Sequence, residues 1–187
     1  WLAVAEPLTI DITLQSLSDD TVQAEIVGYC KAQVIVATEY PQPDATPAPA
    51  LINPRDTAVS AEALYRDRWM FHGPAYRGVE NFYGIGDNGS EGGRRGPPGK
   101  GALLDNMGQL AGYWVMEQPD NCLAMPFAVD RIRFFSADPL PGEKTHCQIR
   151  IDALDAHSCV SSHWLRDDAG RTRVRIEGWR TRRYQMD

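Results

Sequence analysis

The sequence predicts an α+β chain in which one long helix is enclosed by an antiparallel sheet. Three observations carry this. Residues 99–116 hold the one strong helical period: Leu103, Met107, Leu110 and Trp114 recur at spacings of four, three and four, with Leu104, Ala111 and Val115 beside them. Most other segments alternate apolar and polar residues with a period of two, between turns rich in Gly, Pro and Asp. Five of the thirteen prolines fall between residues 41 and 54, setting a short strand-rich stretch apart from a longer one.

In order along the chain, residues 8–38 read as three strands. Leu8, Ile10, Ile12 and Leu14 alternate with polar neighbours, so the first strand is expected to be half-buried. Ser18-Asp-Asp20 makes a turn; Val22, Ala24 and Ile26, then Ala32, Val34 and Val36, supply the next two. No helix precedes them to cover their apolar face, so cover from a partner or from preceding sequence is expected. The expected division is residues 1–40 as trailing strands of one repeat, 41–58 as a Pro-rich linker on the surface, and 59–187 as a second, helix-bearing repeat.

Past the linker, Ser60 is placed to cap a short helix over 61–66. Trp69 to Val79 is an aromatic turn leading into a strand. His72, before Gly73-Pro74, is a potential ligand or base, although a histidine beside such a turn more often makes a structural hydrogen bond. Eight of the sixteen glycines lie between Gly84 and Gly101, with Arg94, Arg95 and Lys100 among them. A phosphate cradle, which wants glycines at a defined spacing directly after a strand, competes with a flexible loop at a pocket mouth; the stretch reads as having neither G-x-G-x-x-G nor a Walker pattern. The composition favours the loop, its cations either solvated or facing a phosphorylated ligand.

On the long helix, Asp105, Gly108, Gln109 and Gly112 share a narrow stripe. Asp105 reads either as a first-turn carboxylate favoured by the helix dipole or as a functional acid. Gln109, one turn on, is placed to orient it, and the two glycines leave room for a ligand. Four strands follow, near 127–136, 146–153, 158–166 and 173–184. In the last, Val174 and Ile176 share a face but Trp179 falls out of phase, and a bulge at Gly178 would restore it. Arg173, Arg175, Arg180, Arg182 and Arg183 are then expected on a solvated edge-strand face, with docking of an acidic partner as the sharper alternative.

Global properties narrow the classes. A chain of 187 residues suits one ordinary domain, and it opens on Trp1, so a fragment, a processed chain or an excised domain is expected. A formal charge of −6 argues against nucleic acid as a partner. No apolar run approaches the roughly 20 residues of a membrane span, and no signal peptide is visible. Cys30, Cys122, Cys147 and Cys159 form no Cys-x-x-Cys pair and read as reduced thiols in a cytoplasmic setting.

Strand, glycine-rich stretch, helix, four strands: that is the order of a hotdog fold. The residues carry a family resemblance as well. Phe71-His-Gly-Pro-Ala-Tyr-Arg-Gly78 resembles the Gly-Pro-x-aromatic-x-Gly segment that opens the second hotdog of polyketide synthase dehydratase domains. Leu103-Leu-Asp-Asn-Met-Gly-Gln109 is similar to their Leu-Leu-Asp-x-x-x-Gln/His segment. Asp130-Arg-Ile-Arg-Phe-Phe135 and Glu177-Gly-Trp-Arg-Thr-Arg-Arg183 resemble the matching strands of iterative enediyne and polyunsaturated-acid synthases. The resemblance covers residues 60–187 closely and the first 38 only in outline. It implies the C-terminal half of a double hotdog with strands of the N-terminal half, and loss of water from a 3-hydroxyacyl chain held on acyl carrier protein by phosphopantetheine. Asp105 would be the acid and Gln109 its orienting partner, both counted as catalytic. His72, Gly73, Pro74, Tyr76, Gly108 and Gly112 would line the substrate. Burial against Leu104 and Tyr113 is expected to raise the Asp105 pKa against the opposing pull of the helix dipole.

No bound cofactor and no metal are implied. The implied partners are the carrier protein and the other synthase domains, with dimerisation by analogy. Two departures stand out. The family's His-x-x-x-Gly-x-x-x-x-Pro motif matches none of His72, His146, His157 and His163, so the chain by itself is expected to be an incomplete enzyme. His72 also stands where many relatives carry tyrosine. A non-catalytic hotdog serving as scaffold or carrier-docking surface is the alternative; a free-standing thioesterase hotdog fits less well.

Overall fold

The computed structural model describes residues 9–43, 46–96, 101–120 and 122–185. It divides into two units, Trp1–Tyr40 and Pro41–Asp187.

The first unit is an antiparallel meander of β1 (Ile12–Ser16), β2 (Thr21–Ile26) and β3 (Cys30–Ile35), with Ile12 opposite Ile26 and Thr21 opposite Ile35. Its alternation predicts a half-buried first strand. In the structure β1 and β3 are exposed along their whole length, Ile12, Leu14 and Ile35 included. Three short strands have no second layer of their own to bury a face.

The second unit starts with α1 (Ala61–Arg66). Ser60 caps it as expected, its hydroxyl accepting from the Ala63 amide at 3.1 Å. A 3-10 turn over Pro74–Tyr76 leads into β4 (Val79–Gly86) and β5 (Gly89–Arg95). The long helix α2 (Ala102–Met116) is followed by β6 (Cys122–Phe134), β7 (Lys144–Leu154), β8 (Ser158–Asp167) and β9 (Thr172–Gln185). These six strands form one antiparallel sheet in the order β4-β5-β7-β8-β9-β6. Helix α2 packs against both edge strands, β4 and β6, as well as strands between them, so the sheet wraps it. Leu103, Met107, Leu110 and Trp114 are all buried against Ile85, Cys147, Ile149, Leu165 and Ile176, as the helical period requires.

Four expectations need correction. The glycine-rich stretch is not a flexible loop: Gly89–Arg95 is a strand between β4 and β7. Its glycines answer crowding on both faces, since a Cβ on Gly92 would lie 3.0 Å from Leu110 and one on Gly93 2.4 Å from the Tyr83 hydroxyl. Gly84-Ile-Gly-Asp-Asn-Gly89 does carry the G-x-G-x-x-G spacing, but it turns strand into strand rather than strand into helix, so no phosphate faces a helix N-terminus there. Arg94 is a core residue and Arg95 pairs with Glu80 at 2.6 Å; Lys100 lies outside the described residues.

β9 is not an edge strand, because β8 and β6 flank it. The bulge at Gly178 is present: Ser161 faces Trp179 while His163 faces Ile176, and Gly178 has φ +64°. It keeps Trp179 on the buried face with Val174 and Ile176. The same shift carries Arg183 inward, where it is buried and bonded to Asp120 and the Asp155 carbonyl, so the five arginines do not share one outer face.

The proline-rich segment runs beside the β4–β5 hairpin as a strap. Arg55 and Ile85 exchange backbone hydrogen bonds of 2.8 and 3.0 Å, and the Ile52 amide donates to Asn88 Oδ1 at 2.8 Å. All four cysteines are free thiols, and Cys122, Cys147 and Cys159 are buried. No helix among the described residues is long and apolar enough to cross a membrane.

Candidate active site

Asp105 and Gln109 stand one turn apart on α2, and the Gln109 side-chain amide donates to Asp105 Oδ2 at 2.8 Å and to the Tyr76 carbonyl at 2.9 Å. His72 reaches the same oxygen from the segment before the 3-10 turn, its Nε2 3.3 Å from Oδ2. Two groups therefore converge on Oδ2, while Oδ1 has no protein partner among the described residues. The Asp105 side chain is 38% exposed, so an approaching molecule can reach it.

The turn is built to present these groups. Pro74 at the first position fixes the backbone for the 3-10 turn, and Tyr76 donates its amide to the Gly73 carbonyl at 2.9 Å. Arg77 Nε donates to the His72 carbonyl at 2.9 Å, closing the segment. His72 stacks on Phe71, with ring centroids 4.6 Å apart. Its Nδ1 is buried without a hydrogen-bond partner among the described residues, and its Nε2 faces Asp105.

Sequence reasoning missed Tyr65. Its hydroxyl donates to Gln109 Oε1 at 2.7 Å and accepts from the Val79 amide at 3.1 Å, so α1 braces the glutamine from behind. Burial pushes its phenol up to about 12, which keeps it a donor. Nothing in the period of α1 distinguishes this tyrosine from a packing residue.

The two glycines of the α2 stripe lie close to core side chains. A Cβ on Gly108 would lie 2.5 Å from the Trp179 ring, and one on Gly112 would lie 3.3 Å from Met70 Cε. Trp179 and Met70 therefore stand against that stripe. Gly73, Pro74 and Tyr76 remain on the exposed turn beside Asp105.

The expected electrostatics are also reversed. Burial pushes the Asp105 carboxyl up, but His72 and Gln109 at Oδ2, with the charges of His72 and Arg94, outweigh it and hold the carboxyl below its usual range. The surroundings are too polar for desolvation to win in the unliganded site.

The other histidines lie elsewhere. His163 is fully buried, its Nε2 2.8 Å from the Ser161 hydroxyl, and burial pushes its pKa down to about 3. His146 stands beside Glu91 on the far face of the sheet, and His157 sits in the β7–β8 turn. A cavity of about 320 Å³ on that far face, with Tyr83, Lys144 and His146 in its wall, is separate from Asp105. Among the described residues no group of three or more His, Cys, Asp or Glu converges as a metal site.

Residues 43–187 match the family model described as the polyketide synthase dehydratase N-terminal domain. The chain belongs to the polyketide synthase dehydratase family. A trans-AT polyketide synthase dehydratase domain from Brevibacillus brevis superposes with a TM-score of 0.69 at 16% identity, over 95% of this chain and 69% of that one. The dehydratase domain from the CurF module of the curacin synthase gives 0.66 at 16% identity, over 92% and 67%. A bifunctional dehydratase–cyclase domain in ambruticin biosynthesis gives 0.59 at 22% identity, over 93% and 68%. A comparison with curated proteins finds no match. The hotdog architecture of this dehydratase domain, read from element order, agrees with these structures.

Proposed function

We propose that residues 59–187 are the acid-bearing repeat of this polyketide synthase dehydratase domain and that Asp105 is the acid which protonates the departing hydroxyl of a 3-hydroxyacyl thioester. One observation carries the reading: Gln109 and His72 meet at Oδ2 of a half-exposed carboxyl, leaving Oδ1 without a protein partner among the described residues. The matching family model is described by the N-terminal domain. The Leu-Leu-Asp-x-x-x-Gln segment on α2 favours the second repeat all the same.

In the reaction a base removes the proton alpha to the thioester carbonyl and the C–O bond breaks. The Asp105 proton passes to the leaving oxygen, giving water and an enoyl thioester. Gln109, braced by Tyr65, and His72 support the carboxylate that remains. His72 is not placed as the base, since Nδ1 is buried and Nε2 faces Asp105. The resemblance assigns the base to a histidine of the first repeat, a motif that none of this chain's four histidines matches. An acyl chain covering the half-exposed carboxyl adds desolvation and favours its protonated form. Delivery on the phosphopantetheine of an acyl carrier protein, action in the cytoplasm and pairing into a dimer belong to the same proposal, as does the likeness to iterative synthases.

The second reading is a non-catalytic hotdog scaffold, favoured by the polar support that keeps Asp105 a carboxylate at rest. Asp105→Asn separates the two in the complete dehydratase domain. As the acid, Asp105 is needed for water loss from 3-hydroxybutyryl-pantetheine, and the variant loses about 10²–10⁴-fold in rate while melting near wild type. Wild-type turnover with a slightly lower melting point would leave the scaffold reading standing.

A further inference from the structure

Arg94 is 1% exposed, and its Nε, Nη1 and Nη2 all lack a hydrogen-bond partner among the described residues. A buried, unpaired guanidinium is among the most costly groups a core can hold.

Register shows where this charge lies. On the helix-facing side of β5, Ser90 donates its hydroxyl to the Leu110 carbonyl at 3.1 Å, and Gly92 lies against the Leu110 side chain. Arg94 is next in that row. It pairs with Val79, whose neighbour Gly78 packs on Asn106 of α2. The Val79 amide donates to Tyr65, Tyr65 donates to Gln109, and Gln109 donates to Asp105. The cation thus sits beneath the first turns of α2, behind the chain of groups that holds the acid. Asn106 Oδ1, buried and without a partner among the described residues, lies against Gly78.

We propose that Arg94 is a positioning residue for the acid: a buried cation that acts through space on Asp105 and stabilises the carboxylate left when the proton departs. This rests on the reading of Asp105 as the acid. The proton goes from Asp105 to the leaving oxygen, and Arg94 keeps its own. The other titratable or charged groups around the pair are Tyr65 from α1, His72 and Arg77 from the turn segment, and Cys147 from β7. Arg77 lies over the Tyr65 ring at 5.6 Å and is engaged by the His72 carbonyl. The Cys147 thiol, pushed up to about 12 by burial, stays neutral. Arg94 is then the fixed charge in this group with no acceptor of its own, and a low-dielectric setting lets its field reach further than in water.

The test is a ¹³C NMR titration of the Asp105 carboxyl, assigned by its loss in Asp105→Asn, in the wild-type chain and in Arg94→Met, Arg94→Gln and Arg94→Lys. Removing the cation should raise the Asp105 midpoint by about one pH unit in the Met and Gln variants, while the Lys variant stays near wild type. The alkaline limb of 3-hydroxybutyryl-pantetheine dehydration by the complete domain should move in the same direction. Arg94→Met should melt no lower than wild type, because a costly orphan has been removed. An unmoved midpoint, or loss of cooperative unfolding in both neutral variants, would make Arg94 structural and overturn the proposal. Wild-type turnover by Asp105→Asn would remove the acid, and its positioning residue with it, whatever the titration shows.

Discussion

Two arginines on neighbouring strands of one sheet are nearly sealed from solvent, Arg94 at 1% and Arg150 at 3% exposure, and they are held in opposite ways. Arg150 lies on the outer face with every nitrogen engaged. Nη1 donates to the Ile149 carbonyl at 2.8 Å, Nε bonds the Pro49 carbonyl of the strap, and Nη2 pairs with Glu91. Glu91 also accepts from Gln148 at 3.2 Å and has His146 3.3 Å away. Arg94, on the helix face, has none of this. A charge buried for architecture is satisfied completely, because each missing bond costs stability. On the proposal above, Arg94 is left unsatisfied because its field acts on Asp105.

The comparison is sharpest where one partner is removed. Arg150→Met should destabilise the protein by about 3 kcal/mol, read by urea unfolding, since it leaves the half-buried Glu91 with only Gln148 and His146 beside it. Wild-type stability in that variant would erase the distinction between the two arginines. Glu91→Gln probes the same cluster through pH. Burial pushes the Glu91 carboxyl up, but His146, Arg150 and Gln148 more than offset this and bring it from 4.5 to about 2. A depressed carboxyl contributes stability that is present above its unfolded pKa and lost as pH falls toward the folded one. The wild type should therefore lose about 3 kcal/mol between roughly pH 5 and pH 2, and Glu91→Gln should flatten that slope. Equal acid slopes in the two proteins would show that the cluster does not hold its charge.

Asp105 should behave alike in sign and more weakly in size. Its carboxyl is also held below the usual range, so its contribution is present at neutral pH and fades as pH falls through the carboxylate region. With the side chain 38% exposed, solvent screens the effect. Asp105→Asn should flatten the acid slope less than Glu91→Gln does, and a larger effect would mark Asp105 as chiefly structural. The smallest change is expected for Arg94→Met, whose melting point should be level with wild type or above it.

Much of the fold is legible in residue patterns. The period from Leu103 to Trp114 places α2 within two residues of its observed ends, Ser60 marks the start of α1, and the phase break at Trp179 locates the Gly178 bulge. The i,i+4 spacing of Asp105 and Gln109 foretells their contact. The glycine-rich strand was illegible because glycine reads as looseness in a sequence. Here it reflects Leu110 and Tyr83 pressing on the two faces of β5.

By itself, then, the sequence determined the elements, their order and the pairing of acid and amide on one helix. Backbone geometry makes the spacing within an element a fixed quantity, so a pattern of residue types is enough. Only the tertiary structure decided that Tyr65 and His72 complete the support of Asp105, that Trp179 fills the space beside Gly108, and that Arg94 faces the core without a hydrogen-bond partner among the described residues. Each of these joins segments far apart in the chain, and whether an empty space receives a ligand, a tryptophan or an unpaired charge depends on which distant strand packs against it.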